Sequence, residues 1–180
     1  MLHIWKHFYT ITKHRHMVIR HCAKAGIFLQ GLRHDLSKYS PTEFMAGARY
    51  YQGSRSPNEG EREANGYSKA WMHHKGRNRH HFEYWTDYRP ETRVMGPVHM
   101  PYRYVVEMFC DRVAASKTYQ GKAYNDSHPL EYFLRAKGKR TIHPDTSDEI
   151  EYLLRMLEEH GEDAVFKHLK STKKQWLHKL

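Results

Sequence analysis

A chain of 180 residues with a net charge of +10 and a mean hydropathy of −0.91 has room for one hydrophobic core and too little for two ordinary domains. No apolar run approaches the length that spans a bilayer. The basic N-terminus has no continuous apolar stretch with a cleavage site, so a cytoplasmic, non-membrane protein is expected. Two cysteines, Cys22 and Cys110, exclude a disulfide framework and a cysteine-rich zinc site, and their apolar surroundings predict buried free thiols.

In chain order, Ile4, Trp5, Phe8, Ile11, Val18, Cys22 and Ala25 recur at mostly three- and four-residue intervals, which predicts an amphipathic helix ending near Gly26. Leu29 to Leu36 predicts a short second helix. Ser40-Pro41-Thr42-Glu43 predicts a third, from Pro41 to about Tyr51, with Ser40 as cap and Glu43 closing a capping box. The Gly-, Ser- and charge-rich stretch from Gln52 to Gly66 reads as a long exposed loop. A helix is expected from Ser68 to Asp87, with Gly76 as its weak point, followed by a connection over residues 88–101. Pro101 opens a long helix to about Tyr119, with Tyr104, Val105, Met108, Phe109 and Val113 as its apolar stripe. Further helices start at Pro129 and at the capping box Thr146-Ser147-Asp148-Glu149. Clear strand alternation is absent, so the expected fold is all-α: one helical domain over residues 1–180, with a motif-bearing core at 3–120 and C-terminal helices at 129–180.

The chemistry concentrates in histidines and aspartates. His34-Asp35 offers two metal donors from one short segment. His14 and His21 lie seven residues apart on one predicted helical face, whereas His16 points elsewhere. The spacing repeats as His74 with His81 and as His73 with His80; in a continuous helix each such pair is about 10 Å apart and cannot chelate one ion without a bend. Imidazole and carboxylate donors suit zinc, manganese, iron, cobalt or hydrated magnesium. The positive net charge favours anionic partners: nucleotides, other small phosphorylated compounds or a nucleic-acid backbone. Aromatics interleaved with cations, in KGRNRHHFEYWTDYR and STKKQWLHK, are also what a nucleic-acid binder offers.

Three segments resemble the HD-domain superfamily of all-helical, metal-dependent phosphohydrolases: His14-Arg15-His16-Met17-Val18, His34-Asp35-Leu36-Ser37-Lys38, and Val105 to Arg112 with Asp111. HDLSKYSPTEF, AWMHHKGRNRHHFEYW and VVEMFCDRVAAS more closely resemble a family of uncharacterised bacterial and phage proteins. The superfamily resemblance implies one or two divalent metals. His14, His34, Asp35 and Asp111 would hold one ion, with His21 the same-face alternative to His14, and His74 and His81 the other, with the choice within each histidine pair open. Asp35, Lys38 and His80 are expected at the reacting centre, and Lys38, Arg77, Arg79 and Arg112 around the substrate phosphate. Glu43 and Glu83 are candidates to orient ligand imidazoles. The implied activity is hydrolysis of a phosphorylated compound by metal-activated water. The alternatives are a di-iron oxygenase on the same ligands, or a basic nucleic-acid-binding protein with a structural metal.

Overall fold

In the computed structural model, which describes residues 2–177, the element order is α1 (Ile4–Ala25), α2 (Phe28–Arg33), α3 (Pro41–Arg49), α4 (Pro57–Asn65), α5 (Lys69–Lys75), β1 (Thr86–Tyr88), β2 (Met95–Pro97), α6 (Tyr102–Gln120), α7 (His128–Leu134), α8 (Pro144–Ser171) and α9 (Lys173–Trp176). The fold is all-α. Its only strands among the described residues pair antiparallel as a small ribbon, Thr86 opposite Pro97 and Tyr88 opposite Met95. Residues 178–180 of the expected C-terminal helices lie outside the described residues. No described helix is long and apolar enough to cross a membrane.

Helix α1 ends where glycine allows it to. Gly26 adopts φ 85°, and its backbone N–H and that of Ile27 close the last turn onto Ala23 and Cys22. The face that α1 buries differs from the expected stripe: Trp5 is 82% exposed and Ile4 and Phe8 also face out. His7, Ile11, His14, Val18, His21, Cys22 and Ala25 face in. The inner face therefore carries a histidine every seventh residue, beside Ile11, Val18, Cys22 and Ala25 of the expected stripe.

Helices α1 and α6 pack on each other, and α8 packs on both. Val18, Cys22, Val105, Phe109, Cys110, Val113, Ile150, Leu153, Leu154 and Leu157 form one fully buried cluster between them. At about 25 cal/mol per Å² of apolar surface removed from water, such side chains supply the main drive for the helices to associate. Both cysteines are buried free thiols, as expected, and burial pushes the Cys110 thiol up.

Several boundaries depart from expectation for legible reasons. The stretch read as an exposed loop contains α4, which Ser56 caps, Pro57 opens and Gly66 ends in the left-handed region. Its buried Glu61 accepts hydrogen bonds from Ser68 Oγ and the Ala70 N–H, tying α4 to α5. The helix expected from Ser68 to Asp87 stops at Lys75, and the chain turns through Gly76–His81 before the ribbon. Ser40 caps α3, but Glu43 does not close the box, because its carboxylate is taken by two histidines. The last long helix begins earlier than its expected capping box, at Pro144 with His143 as cap; Thr146 Oγ1 instead accepts from the buried Met100 N–H.

Helix α3 approaches α1 at Gly47, where a Cβ would lie 2.2 Å from His7 Nε2. His7 is thereby enclosed. Burial first, and the nearby Lys38 charge second, pull its imidazole from 6.5 to about 4. Between these values the unfolded chain binds the proton and the folded chain does not, so the His7 contribution is full above pH 6.5 and lost as pH falls towards 4. His7→Gln is expected to flatten the decline of melting temperature between pH 7 and pH 4.5. An unchanged slope would show that other groups set it.

Candidate metal centre

The centre is built where α2 ends. His34 terminates that helix, and Asp35 takes φ 54°, a left-handed conformation that costs a side-chain-bearing residue roughly 1–2 kcal/mol. A one-turn 3-10 helix, Leu36–Tyr39, follows and brings Lys38 Nζ back to 2.7 Å from Asp35 Oδ2. This strained corner turns the Asp35 carboxylate inward, between two sets of histidines.

On one side stand His14 of α1, His34 and Asp111 of α6. His14 Nε2 is 3.0 Å and His34 Nε2 3.6 Å from Asp111 Oδ1, and His34 Nε2 is 3.3 Å from Asp35 Oδ2. On the other side, His74 Nε2 and His80 Nε2 lie 3.3 Å and 3.4 Å from Asp35 Oδ1, and His74 Nε2 is 2.8 Å from His81 Nε2. The turn at Gly76 makes this second side. With α5 ended there, two histidines expected about 10 Å apart meet ring to ring. Three groups of donors, His14–His34–Asp35–Asp111, Asp35–His74–His80–His81 and His34–His80–Glu107, each have ligand atoms within 4.8 Å of one another and could hold a metal ion. The first two share Asp35, one oxygen towards each side.

Carboxylates behind the imidazoles fix which nitrogen faces inward. His34 Nδ1 donates to Glu107 Oε1 at 3.0 Å, and His80 Nδ1 lies 3.2 Å from the same oxygen. Gln30 Nε2 donates to the other Glu107 oxygen. His74 Nδ1 donates to Glu43 Oε2 at 2.7 Å, and His73 Nδ1 donates to Glu43 Oε1 at 2.6 Å. Nδ1–H groups so held turn Nε2 of His34, His74 and His80 towards the interior, the arrangement by which outer carboxylates orient metal-binding histidines; on His34 a divalent ion would displace the proton that the carboxylates favour in its absence.

A donor set of this kind fits a divalent ion. His14 Nε2, His34 Nε2, His80 Nε2 and both Asp35 oxygens are buried and face one another with only ion-pair contacts among the described residues, Lys38 at Asp35 Oδ2 and Asp111 at His14 Nε2 among them. A buried polar atom left unsatisfied costs about 1–3 kcal/mol. A divalent ion would satisfy those of the five that these contacts do not. Mixed imidazole and carboxylate ligation suits first-row divalent ions such as zinc, iron, cobalt or manganese.

The charges agree with the geometry. Burial alone would raise the Asp35 carboxyl, but His34 and Lys38 outweigh it and hold it well below the usual range. Burial likewise opposes ionisation of Asp111, and hydrogen bonds from His14 and His34 hold it low. Burial works against a charge on His34 too, yet Asp35, Asp111 and Glu107 raise it well above 6.5. Glu107, despite burial, is brought to about 2 by His80 and His34. His81 goes the other way: burial, then His80 and His74, keep its imidazole neutral and its lone pair available.

His14, His34, Asp35, His74, His81 and Asp111 of the sequence analysis come together here, and the alternatives His21 and His73 do not. His14 is in the centre, whereas His21 faces the far side, 3.2 Å from the Cys110 carbonyl and stacked on Phe166. His16 is exposed. His73 stays outside all three groups, held by Glu43. His80, expected at the reacting centre, stands beside His74 and His81 as a third imidazole. The sequence analysis missed Glu107, although it precedes Asp111 by one helical turn on the same face of α6.

Next to the centre lies a cavity of about 900 Å³, a volume suited to a small-molecule ligand. His14, Lys38, His74, His81 and Asp111 border it on the metal side, and Arg112 and Arg140 farther along. Lys38 and Arg112 are thus at the cavity wall; burial and Arg140 pull the Arg112 guanidinium down to about 10. Two other cations are not: Arg77 is exposed and donates to the His73 carbonyl, and Arg79 lies outside against Tyr84 and Tyr104. The break at Gly76 turns both away from the cavity. Glu43 orients imidazoles as expected; Glu83 lines the cavity and its carboxyl is raised by burial.

No curated protein and no solved structure matches the chain. Residues 3–156 match the family of unknown function DUF5662, which covers the elements from α1 into α8 that build this centre. The chain belongs to that family.

Proposed function

We propose that the protein is a metal-dependent phosphohydrolase that acts on a nucleotide or another small phosphorylated compound. The observation that carries this reading is the sharing of Asp35 between two donor groups at the edge of a cation-bordered cavity. His14, His34, Asp35 and Asp111 would hold one divalent ion, and Asp35, His74, His80 and His81 a second. Ions so held would supply Lewis acidity and a water acidified from 15.7 to about 7.

The chain's own groups do the rest. Lys38, tied to Asp35 and partly exposed at the cavity edge, would contact phosphoryl oxygens as charge spreads over them. Its ammonium is raised by the Asp35 and Asp111 charges, against burial, and so stays positive through the neutral range. Glu107 and Glu43 keep the Nε2 lone pairs inward, so the site is preorganised before substrate arrives. A cationic border is what a phosphate ester needs and what dioxygen does not, which favours hydrolysis over a di-iron oxygenase on the same donors.

The test is a panel of nucleoside mono-, di- and triphosphates and cyclic dinucleotides, with manganese, cobalt, iron, magnesium or zinc supplied separately to untagged protein. Phosphate release should require metal, vanish with chelator and return on metal addition. Absence of turnover with every metal, joined to oxygen consumption by the iron-loaded protein, would replace hydrolysis with the oxygenase reading.

A further inference from the structure

The cavity beside the metal centre holds two guanidinium groups that form no ion pair among the described residues, although the Asp111 and Glu83 carboxyls lie near enough to favour the Arg112 charge. Arg112 follows Asp111 on α6 and so is turned away from the metal donors, towards α7. Its Cζ lies 5.5 Å from the centroid of the Phe133 ring. Arg140, from the segment after α7, lies 5.7 Å from the same ring and 5.6 Å from that of Tyr132. The two cations therefore share one aromatic platform, and both border the cavity.

Their donors are unused. Arg112 Nε and Arg140 Nη1 are buried without a hydrogen-bond partner, and the Arg112 side chain's polar contact among the described residues is the Met108 sulfur at 3.8 Å. Glu83, on the same stretch of wall, makes no ion pair with either among the described residues, and its own Oε2 is buried without a partner. Stacking on Phe133 accounts for the orientation of the guanidiniums but satisfies none of their N–H groups. Like charges side by side with open donors need an oxyanion between them. A phosphoryl group fits better than a carboxylate, because its two charges match two guanidiniums and its three oxygens match their several donors.

We propose that Arg112 and Arg140 form a phosphate subsite distinct from the metal centre and in the same cavity, so that the substrate carries a second phosphoryl group besides the one that reacts. The role of the subsite in selecting substrate rests on the phosphohydrolase reading; its binding of phosphate does not. The substrate class is then a compound with two separated phosphates or a phosphate chain, rather than a simple monoester.

Inorganic phosphate is the probe, titrated calorimetrically into the full chain. An Asp35→Asn background removes the group shared by both metal sites, so phosphate bound there reports the arginine subsite. About one phosphate per chain should bind in that background, and adding Arg140→Gln or Arg112→Gln should weaken it about tenfold or more. Arg140 lies outside the helices, so its variant keeps the test decisive should the Arg112 variant fold poorly. With metal-loaded protein of native Asp35, Arg140→Gln should raise KM for two-phosphate compounds and leave KM for a monoester such as p-nitrophenyl phosphate unchanged. No phosphate binding in the Asp35→Asn background, or binding indifferent to both arginines, would overturn the subsite. Absent turnover with arginine-dependent binding intact would retain the subsite and remove only the hydrolase reading.

Discussion

Asp35→Asn is expected to strip the protein of metal while leaving its helices in place. As purified or after reconstitution, the native chain should retain about two divalent ions per molecule, matching the two donor groups that share Asp35. The variant should lose affinity for both by more than about 100-fold, since loss of an outer partner alone costs 10–100-fold and Asp35 is in both groups. Asparagine is the better replacement because it tolerates φ 54° and keeps the side-chain shape, so the far-ultraviolet circular dichroism should not change. Alanine at the same position should empty the sites too, with an added cost from the left-handed backbone. Full metal occupancy in Asp35→Asn would show that Asp35 is not a ligand, and a loss confined to one ion would show that it does not bridge.

The path from sequence to this centre was legible in part, and the gaps have physical causes. Helices α1 and α6 could be read because their apolar residues recur at helical spacing, and the His-Asp pair is recognisable in any context. The interior of α1 could not be read that way, because its buried positions His7, His14 and His21 count as polar. Burial of His14 follows from the centre it faces, and that of His7 and His21 from packing against Gly47 and Phe166, all tertiary facts. The turn at Gly76 was visible as a weak point in a helix, yet its consequence was not. Ending α5 there converts a seven-residue spacing from a separation of two turns into the 2.8 Å contact of His74 with His81. The same turn explains why Arg77 and Arg79, neighbours of the ligands in sequence, are not neighbours in space. Helix α4 escaped because its polar composition resembles a loop, although Ser56, Pro57 and Gly66 mark both its ends. Arg140 could not have been placed beside Arg112 from sequence, since α7 must first fold back on α6 to bring them to Phe133.

The orienting carboxylates yield the sharpest test of how the two ions depend on each other. Glu107 stands behind His34 of the first donor group and His80 of the second, whereas Glu43 stands behind His74 of the second alone. Removing the charge from each should therefore give different patterns. Glu107→Gln should weaken both ions, by about 10–100-fold each, because one imidazole in each group loses the acceptor that fixes its tautomer. Glu43→Gln should weaken only the ion held by His74, His80 and His81, and a titration should then show one tight and one weak site. The glutamine side chain still offers an oxygen to one Nδ1–H, so neither variant removes all orientation, and the losses should be smaller than for Asp35→Asn. Glu107 also makes a pH-dependent contribution to the stability of the metal-free protein. It is buried and held at about 2, and in metal-free protein its ionised form is favoured by His80 and His34. That contribution is full above the carboxyl's usual 4.5 and is lost as pH falls towards 2, so Glu107→Gln should reduce the acid sensitivity of the metal-free protein in that window. Equal weakening of both ions by Glu43→Gln, or weakening of a single ion by Glu107→Gln, would show that the two donor groups are not divided as the geometry divides them. The split pattern would instead identify α6 as the element that couples the ions, since Asp111 and Glu107, one turn apart, reach the centre from its ligand side and from behind its imidazoles.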